Sequence, residues 1–178
     1  LSIQLTFCLL LISISTFGQN KIDQAKVLFE LQRYDQLKEI LTPIKNKDVD
    51  FAAAQYYLGC VAYEEKDYDE ASDFFEEAVE YDGKVADYHF WLGNAYRNAA
   101  MNSSMISRGI LATKMKEAWE NAIALDSKNL DARISLIQFY IVVPGFMGGS
   151  IDNAKQVVKQ VIELNPLEGH RQMGSIYM

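Results

Sequence analysis

A dipeptide that returns at a fixed distance constrains this chain more than any other feature. Leu58-Gly59 recurs as Leu92-Gly93, 34 residues later. The stretch from Tyr56 to Asp82 places Leu58, Gly59, Tyr68, Ala71, Phe75 and Ala78 at the spacing of a helix, a turn and a second helix. Gly59 and Ala78 are small enough to let two antiparallel helices approach closely, while Leu58, Phe75 and Tyr81 are large enough to fill the space around them. One such pair cannot bury its apolar face alone, so neighbouring pairs must stack on it.

The register extends along the chain. A third unit begins near Ala86, with Leu92, Gly93 and Tyr96 on its first helix and Met115, Trp119, Ala122 and Leu125 on its second. About ten extra residues separate the two helices. A fourth unit begins near Leu130 and carries Leu136, Tyr140, Ala154, Val158, Val161, Leu164 and Pro166. It also holds about five extra residues, and Ile137 stands where the glycine would be. A first unit is weaker: Ala25, Leu28, Tyr34, Leu37, Leu41 and Ile44 fit, but Pro43 must bend or shorten its second helix. A fifth begins with Met173, Gly174 and Tyr177. The units fall at about 19–51, 52–85, 86–129 and 130–166, with a partial one at 167–178.

With Leu58, Gly59, Tyr68, Ala71, Phe75 and Ala78 in place, the chain resembles the tetratricopeptide repeat family. Ala62 departs from that pattern, which has a large residue there, and Tyr63 follows it. The stretch Glu120 to Lys155 also resembles a group of exported bacterial tetratricopeptide proteins with a long third-repeat insert and a Pro-Gly-x-x-Gly-Gly loop. The resemblance implies an all-α, right-handed α-solenoid of antiparallel helix pairs, with about four repeats plus a partial fifth over 19–178. It also implies protein or peptide binding against the first helices, which line the concave face. The positions that match that groove are Tyr56, Tyr57, Cys60 and Tyr63, then Asp87, Phe90, Trp91, Asn94 and Arg97, then Ile134, Ser135 and Gln138. Tyr57 and Trp91 could equally pack between repeats. The family's clamp for carboxyl termini needs several Lys, Arg and Asn side chains here, and only Asn94 and Arg97 match it.

The first eighteen residues stand apart. They carry no charged side chain, and the apolar run Leu5 to Ile14 is too short to span a bilayer. With Thr16 and Gly18 as a small-x-small pair, residues 1–18 read as a signal peptide cleaved after Gly18, and hence as export to the periplasm or exterior of a bacterium. Cys60 would then be the one thiol of the mature chain, unable to form an internal disulfide.

Charge narrows the partners. The net charge is −7 and no Lys/Arg stripe exists, which argues against nucleic acid. From Glu64 to Asp82 there are ten acidic residues and one basic one. Glu76, Glu77 and Glu80 belong on the solvent side of a second helix, as a solvated face or a dock for a basic partner. The segment Arg97 to Lys116 is the opposite: Arg97, Arg108, Lys114 and Lys116 without an acid. Asn102-Ser103-Ser104 should break it, and Met101, Met105, Ile106, Ile110 and Leu111 are expected to pack on the stack. The segment either folds back on the acidic repeat or stands free.

The stretch VPGFMGGSIDNA, Val143 to Ala154, lacks the lysine and the preceding strand of a phosphate loop. It reads as an enlarged turn in repeat four. The first expectation is that Phe146 tucks against the core; the alternative is that Phe146 and Met147 are exposed contacts for a partner. No paired histidines, metal-ligand spacing or nucleophile–base arrangement is present, so neither a metal, a cofactor nor an enzymatic activity is expected.

Overall fold

The computed structural model describes residues 20–177. The segment read as a signal peptide lies outside them. Nine α-helices and one 3₁₀ turn account for the described residues, with no strand among them. They are α1 (Lys21–Glu30), α2 (Tyr34–Leu41), α3 (Phe51–Glu64), α4 (Tyr68–Tyr81), α5 (Ala86–Met101), α6 (Met105–Leu125), α7 (Leu130–Val142), α8 (Ile151–Leu164) and α9 (Pro166–Ser175). The fold is the all-α solenoid of antiparallel pairs that the repeat implies.

Local chemistry sets the boundaries. Asn20, Asp67, Ser104, Asn129, Ser150 and Asn165 each cap a helix by accepting from a backbone N–H of its first turn. Pro43 lies just beyond α2, which ends at Leu41, so the proline shortens that helix. Repeats one and two share one turn. Gln32 and Lys66, 34 positions apart, both take a left-handed backbone, at φ 55° and 67°. Around them Arg33 N donates to Leu28 O, and Asp67 N to Ala62 O, so both turns close the preceding helix in the same way. The weak first unit is therefore a true repeat of the second.

Within each pair the small residues let large ones in. A methyl group on Gly59 would lie 2.8 Å from the Phe75 ring. Ala25, Ala71, Ala78, Ala95, Ala122 and Ala154 are fully buried at the equivalent crossings, and Phe75, Trp119 and Val158 fill the gaps between them. Tyr81, Leu125 and Leu164, expected in the core, sit at the outer helix ends and are nearly half exposed. The first helices of successive pairs also touch, α1 on α3 and α3 on α5, which puts them on the inner side of the curve.

The insert of repeat three lengthens two helices rather than adding a loop. α5 reaches Met101, Asn102 to Ser104 forms the break, and α6 then runs for 21 residues. Its expected packing does not hold. Met101 is 73%, Met105 77%, Ile106 81% and Ile110 59% exposed. At 21 residues α6 is longer than α4 and α8, which have 14 each, and of this apolar set only Leu111 finds partial cover. The segment does fold back on the acidic repeat: Lys114 Nζ lies 2.9 Å from Glu76 Oε1. Glu76 also accepts from the Tyr96 hydroxyl, and Glu77 from Gln55 Nε2. Two of the three outward carboxylates thus tie helices together instead of merely facing water.

Candidate functional site: an aromatic hollow on the inner face

On the inner face, α3 and α5 bring their aromatic side chains against α1. A hollow of about 320 Å³ results. Lys26, Phe29 and Glu30 line it from α1, Tyr56, Tyr57, Cys60 and Glu64 from α3, and Trp91 from α5. The rings hold one another. Tyr56 stacks on Tyr88 at 4.9 Å between centroids and meets Tyr57 edge-on at 5.2 Å. Trp91 stacks over Phe75 at 6.5 Å and receives Tyr63 edge-on at 5.2 Å. Such contacts fix ring orientation before any ligand arrives, which lowers the entropic cost of binding.

Burial keeps the polar groups inside the hollow neutral. Burial pushes the Tyr56 phenol well above its ordinary range, and the neighbouring Cys60 thiol adds to the effect. Burial likewise pushes the Cys60 thiol up to about 12, against a hydrogen bond from Tyr56 that favours the thiolate. Cys60 is therefore a protonated wall residue at neutral pH, and its thiolate is too scarce for nucleophilic work. Glu30 and Glu64, with Lys26, give the rim its charge.

The other groove candidates lie elsewhere. Phe90 packs its edge on Trp91 at 5.7 Å and is half-buried. Tyr63 is held from two sides: its ring meets Tyr68 at 5.3 Å, and its hydroxyl accepts from Asn98 Nδ2 at 2.6 Å. Asn94 turns inward. It is 5% exposed, and its Oδ1 accepts from Trp119 Nε1 at 3.3 Å. A buried indole N–H needs a partner, and Asn94 supplies it, so its Oδ1 braces Trp119. Arg97 and Gln138 do not join the tyrosines. They line a separate cavity between α5, α6 and α7, together with Ser135, and Gln138 Nε2 donates to Gln172 Oε1 at 2.9 Å.

The contribution of α1 escaped the sequence reading, yet the signal was present. Lys26, Phe29 and Glu30 stand 34 positions before Cys60, Tyr63 and Glu64. Carrying the register back by one repeat names them.

The glycine loop also differs from expectation. After Val143 caps α7, Gly145–Met147 forms a single 3₁₀ turn, and Gly148 takes φ 107°. Any side chain on Gly149 would run into the Val143 carbonyl. The turn is therefore tightly specified, but it does not tuck Phe146 inward, since that ring is 84% exposed. Gly148 lies against the Phe139 ring instead, and Met147 reaches toward Gly109 of α6. Among the described residues no cluster of His, Cys, Asp and Glu could hold a metal ion, and no helix is long and apolar enough to cross a membrane.

Comparison with known proteins agrees with this architecture. Residues 52–84 match the tetratricopeptide repeat family. No curated protein sequence matches the chain. Among solved structures, YrrB, described as a tetratricopeptide protein with an unusual peptide-binding site, is 19% identical with a TM-score of 0.68, over 88% of this chain and 74% of its own. MamA is 20% identical with a TM-score of 0.65, over 90% of this chain and 84% of its own. The first tetratricopeptide domain of Spaghetti (RPAP3), solved with an HSP90 peptide, is 19% identical with a TM-score of 0.55, over 73% of this chain and 95% of its own. At these identities the likeness speaks for the fold.

Proposed function

We propose that the chain is a protein-interaction scaffold or adaptor that captures a peptide or helix on its inner face, with the Tyr56–Tyr57–Trp91 hollow as its anchor pocket. The carrying observation is that hollow: pre-packed rings around about 320 Å³ of open space, with two carboxylates at the rim. Aromatic walls of this kind supply most of the energy in peptide recognition. Glu30 and Glu64 outnumber Lys26, so a lysine or arginine side chain is the preferred occupant, held by the carboxylates and the ring faces. YrrB and the Spaghetti domain, which share the fold, are described as binding peptides. No reaction is assigned to the chain.

The proposed setting is the bacterial cell envelope, reached by export. It rests on the sequence of residues 1–18 alone. Capture from an envelope extract by the wild-type chain, compared with Tyr57→Ala, tests the site. Tyr57 is only half-buried, so its loss should abolish capture with the helical spectrum intact. Undiminished capture by a folded Tyr57→Ala chain would sink the proposal.

One observation favours a second reading, in which the chain self-associates or stacks on further repeats. Gly174 occupies the position of Gly59 and Gly93, but among the described residues nothing lies within 4 Å of a methyl group placed there. Leu167, seven residues earlier on the same helix, is 84% exposed. Light scattering at high concentration separates the readings, since a strict monomer argues against self-association.

A further inference from the structure

A second cavity, of about 500 Å³, opens between α5, α6 and α7 beneath the glycine loop. Much of it lies outside the 34-residue pattern. Met101 and Arg108 belong to the extended hairpin of repeat three, and Val143, Pro144 and Met147 to the enlarged turn of repeat four. Its floor is apolar, formed by Met115, Trp119 and Phe139.

The charge of this cavity is inverted relative to the chain. The net charge is −7, yet the charged residues lining the cavity are Arg97 and Arg108, with no acid among the described residues that line it. Both arginines are held, and among the described residues neither forms an ion pair. Arg108 Nε donates to Ala100 O at 3.1 Å, and its Nη2 to Ser103 O at 3.0 Å. The Arg97 guanidinium lies 5.9 Å from the Trp119 ring centroid. The lysines of the same segment are already paired, Lys114 with Glu76 and Lys116 with Glu120. Apolar surface continues outward from the mouth, where Met101 and Val142 are each 73% exposed. Contiguous exposed apolar surface beside an open cavity marks an interaction site more often than a solvated face.

We propose that this cavity docks a segment of another protein that carries an acidic residue beside a bulky apolar one. The apolar side chain packs on Met115 and Phe139, and the carboxylate meets Arg97 and Arg108. Charge complementarity selects this occupant, because guanidiniums lining an apolar wall reward a carboxylate and repel a base. A lipid surface would also welcome exposed methionine and isoleucine. The neighbouring hollow around Met105, Ile106 and Phe146 is lined by Glu117 and Glu120 against one base, Lys116, however, and this excess of acid would oppose anionic headgroups. The site shares no lining residue with the aromatic hollow, so it stands or falls separately.

Fluorescence anisotropy with a labelled amphipathic peptide of about three helical turns tests the proposal, one face carrying leucine and glutamate. The control probe replaces each glutamate by glutamine. The glutamate peptide should bind about tenfold more tightly, through charge-assisted hydrogen bonds that added salt weakens. Arg97→Gln should erase that preference. Val142→Glu, at an exposed position, should abolish binding with the helical spectrum unchanged, and Tyr57→Ala should leave it intact. No measurable binding of the glutamate peptide, equal binding of the two peptides, or undiminished binding to Val142→Glu would overturn the proposal. Binding to phosphatidylglycerol vesicles that Val142→Glu removes would also overturn it and reassign the face to lipid.

Discussion

Gly93 and Trp119 meet so closely across the third helix pair that a methyl group on the glycine would lie 2.5 Å from the indole Nε1. The same nitrogen donates to Asn94, the next residue along α5. Trp119 is 1% exposed and has no room to retreat. Gly93→Ala should therefore force the ring aside, loosen its hydrogen bond and cost about 1–3 kcal/mol of stability. Urea unfolding measures this, and an unchanged midpoint would contradict the packing described.

Repeat register was legible because its small and large residues are bound to a spacing. Leu58, Phe75 and Trp119 had no alternative role once Gly59 and Gly93 were aligned. Side-chain direction was less legible. Met101, Met105, Ile106 and Ile110 have the composition of a core, but they stay exposed on a hairpin whose α6 is longer than α4 and α8. Asn94 has the composition of a ligand group, and its true demand comes from an indole on another helix, 25 residues away. Arg97 and Gln138 share the inner-face register with Tyr56, but the long α5–α6 hairpin gives them a cavity of their own.

Stability should respond to acid through Glu76. Burial raises its pKa, but hydrogen bonds from Tyr96 and Lys114, with the Lys114 charge, outweigh this and hold the carboxyl below its usual range. A depressed carboxylate contributes stability that is complete above the unfolded value, about 4.3, and is lost as pH falls through the folded value. The Lys114–Glu76 pair is nearly half exposed on both sides, so screening limits its contribution to about 1 kcal/mol or less. Urea midpoints of the wild type and Glu76→Gln should differ at pH 7 and converge in acid. A difference that persists unchanged in acid would remove Glu76 as the cause.

Phe146 carries little of the fold. With its ring 84% exposed, Phe146→Ser should alter stability by no more than about 0.5 kcal/mol. A loss of several kcal/mol on thermal unfolding would mean that the ring is buried in solution.

Cys60 should behave as a wall, not a reagent. It is 5% exposed, with its thiol pKa pushed up to about 12. In a Cys8→Ser chain, a thiol-specific disulfide reagent should label Cys60 slowly in native buffer and rapidly in denaturant. Fast native labelling would contradict the buried, protonated thiol.

The most direct test of the inner-face site is a selected ligand mapped by nuclear magnetic resonance. A random peptide library is panned on the immobilised chain, and the enriched peptide is titrated into isotope-labelled protein. Enrichment of lysine or arginine is expected, with chemical-shift changes centred on Glu30, Tyr56, Tyr57 and Trp91. Shifts centred on the outer face of α4, or on α9, with that hollow undisturbed, would contradict the inner-face site.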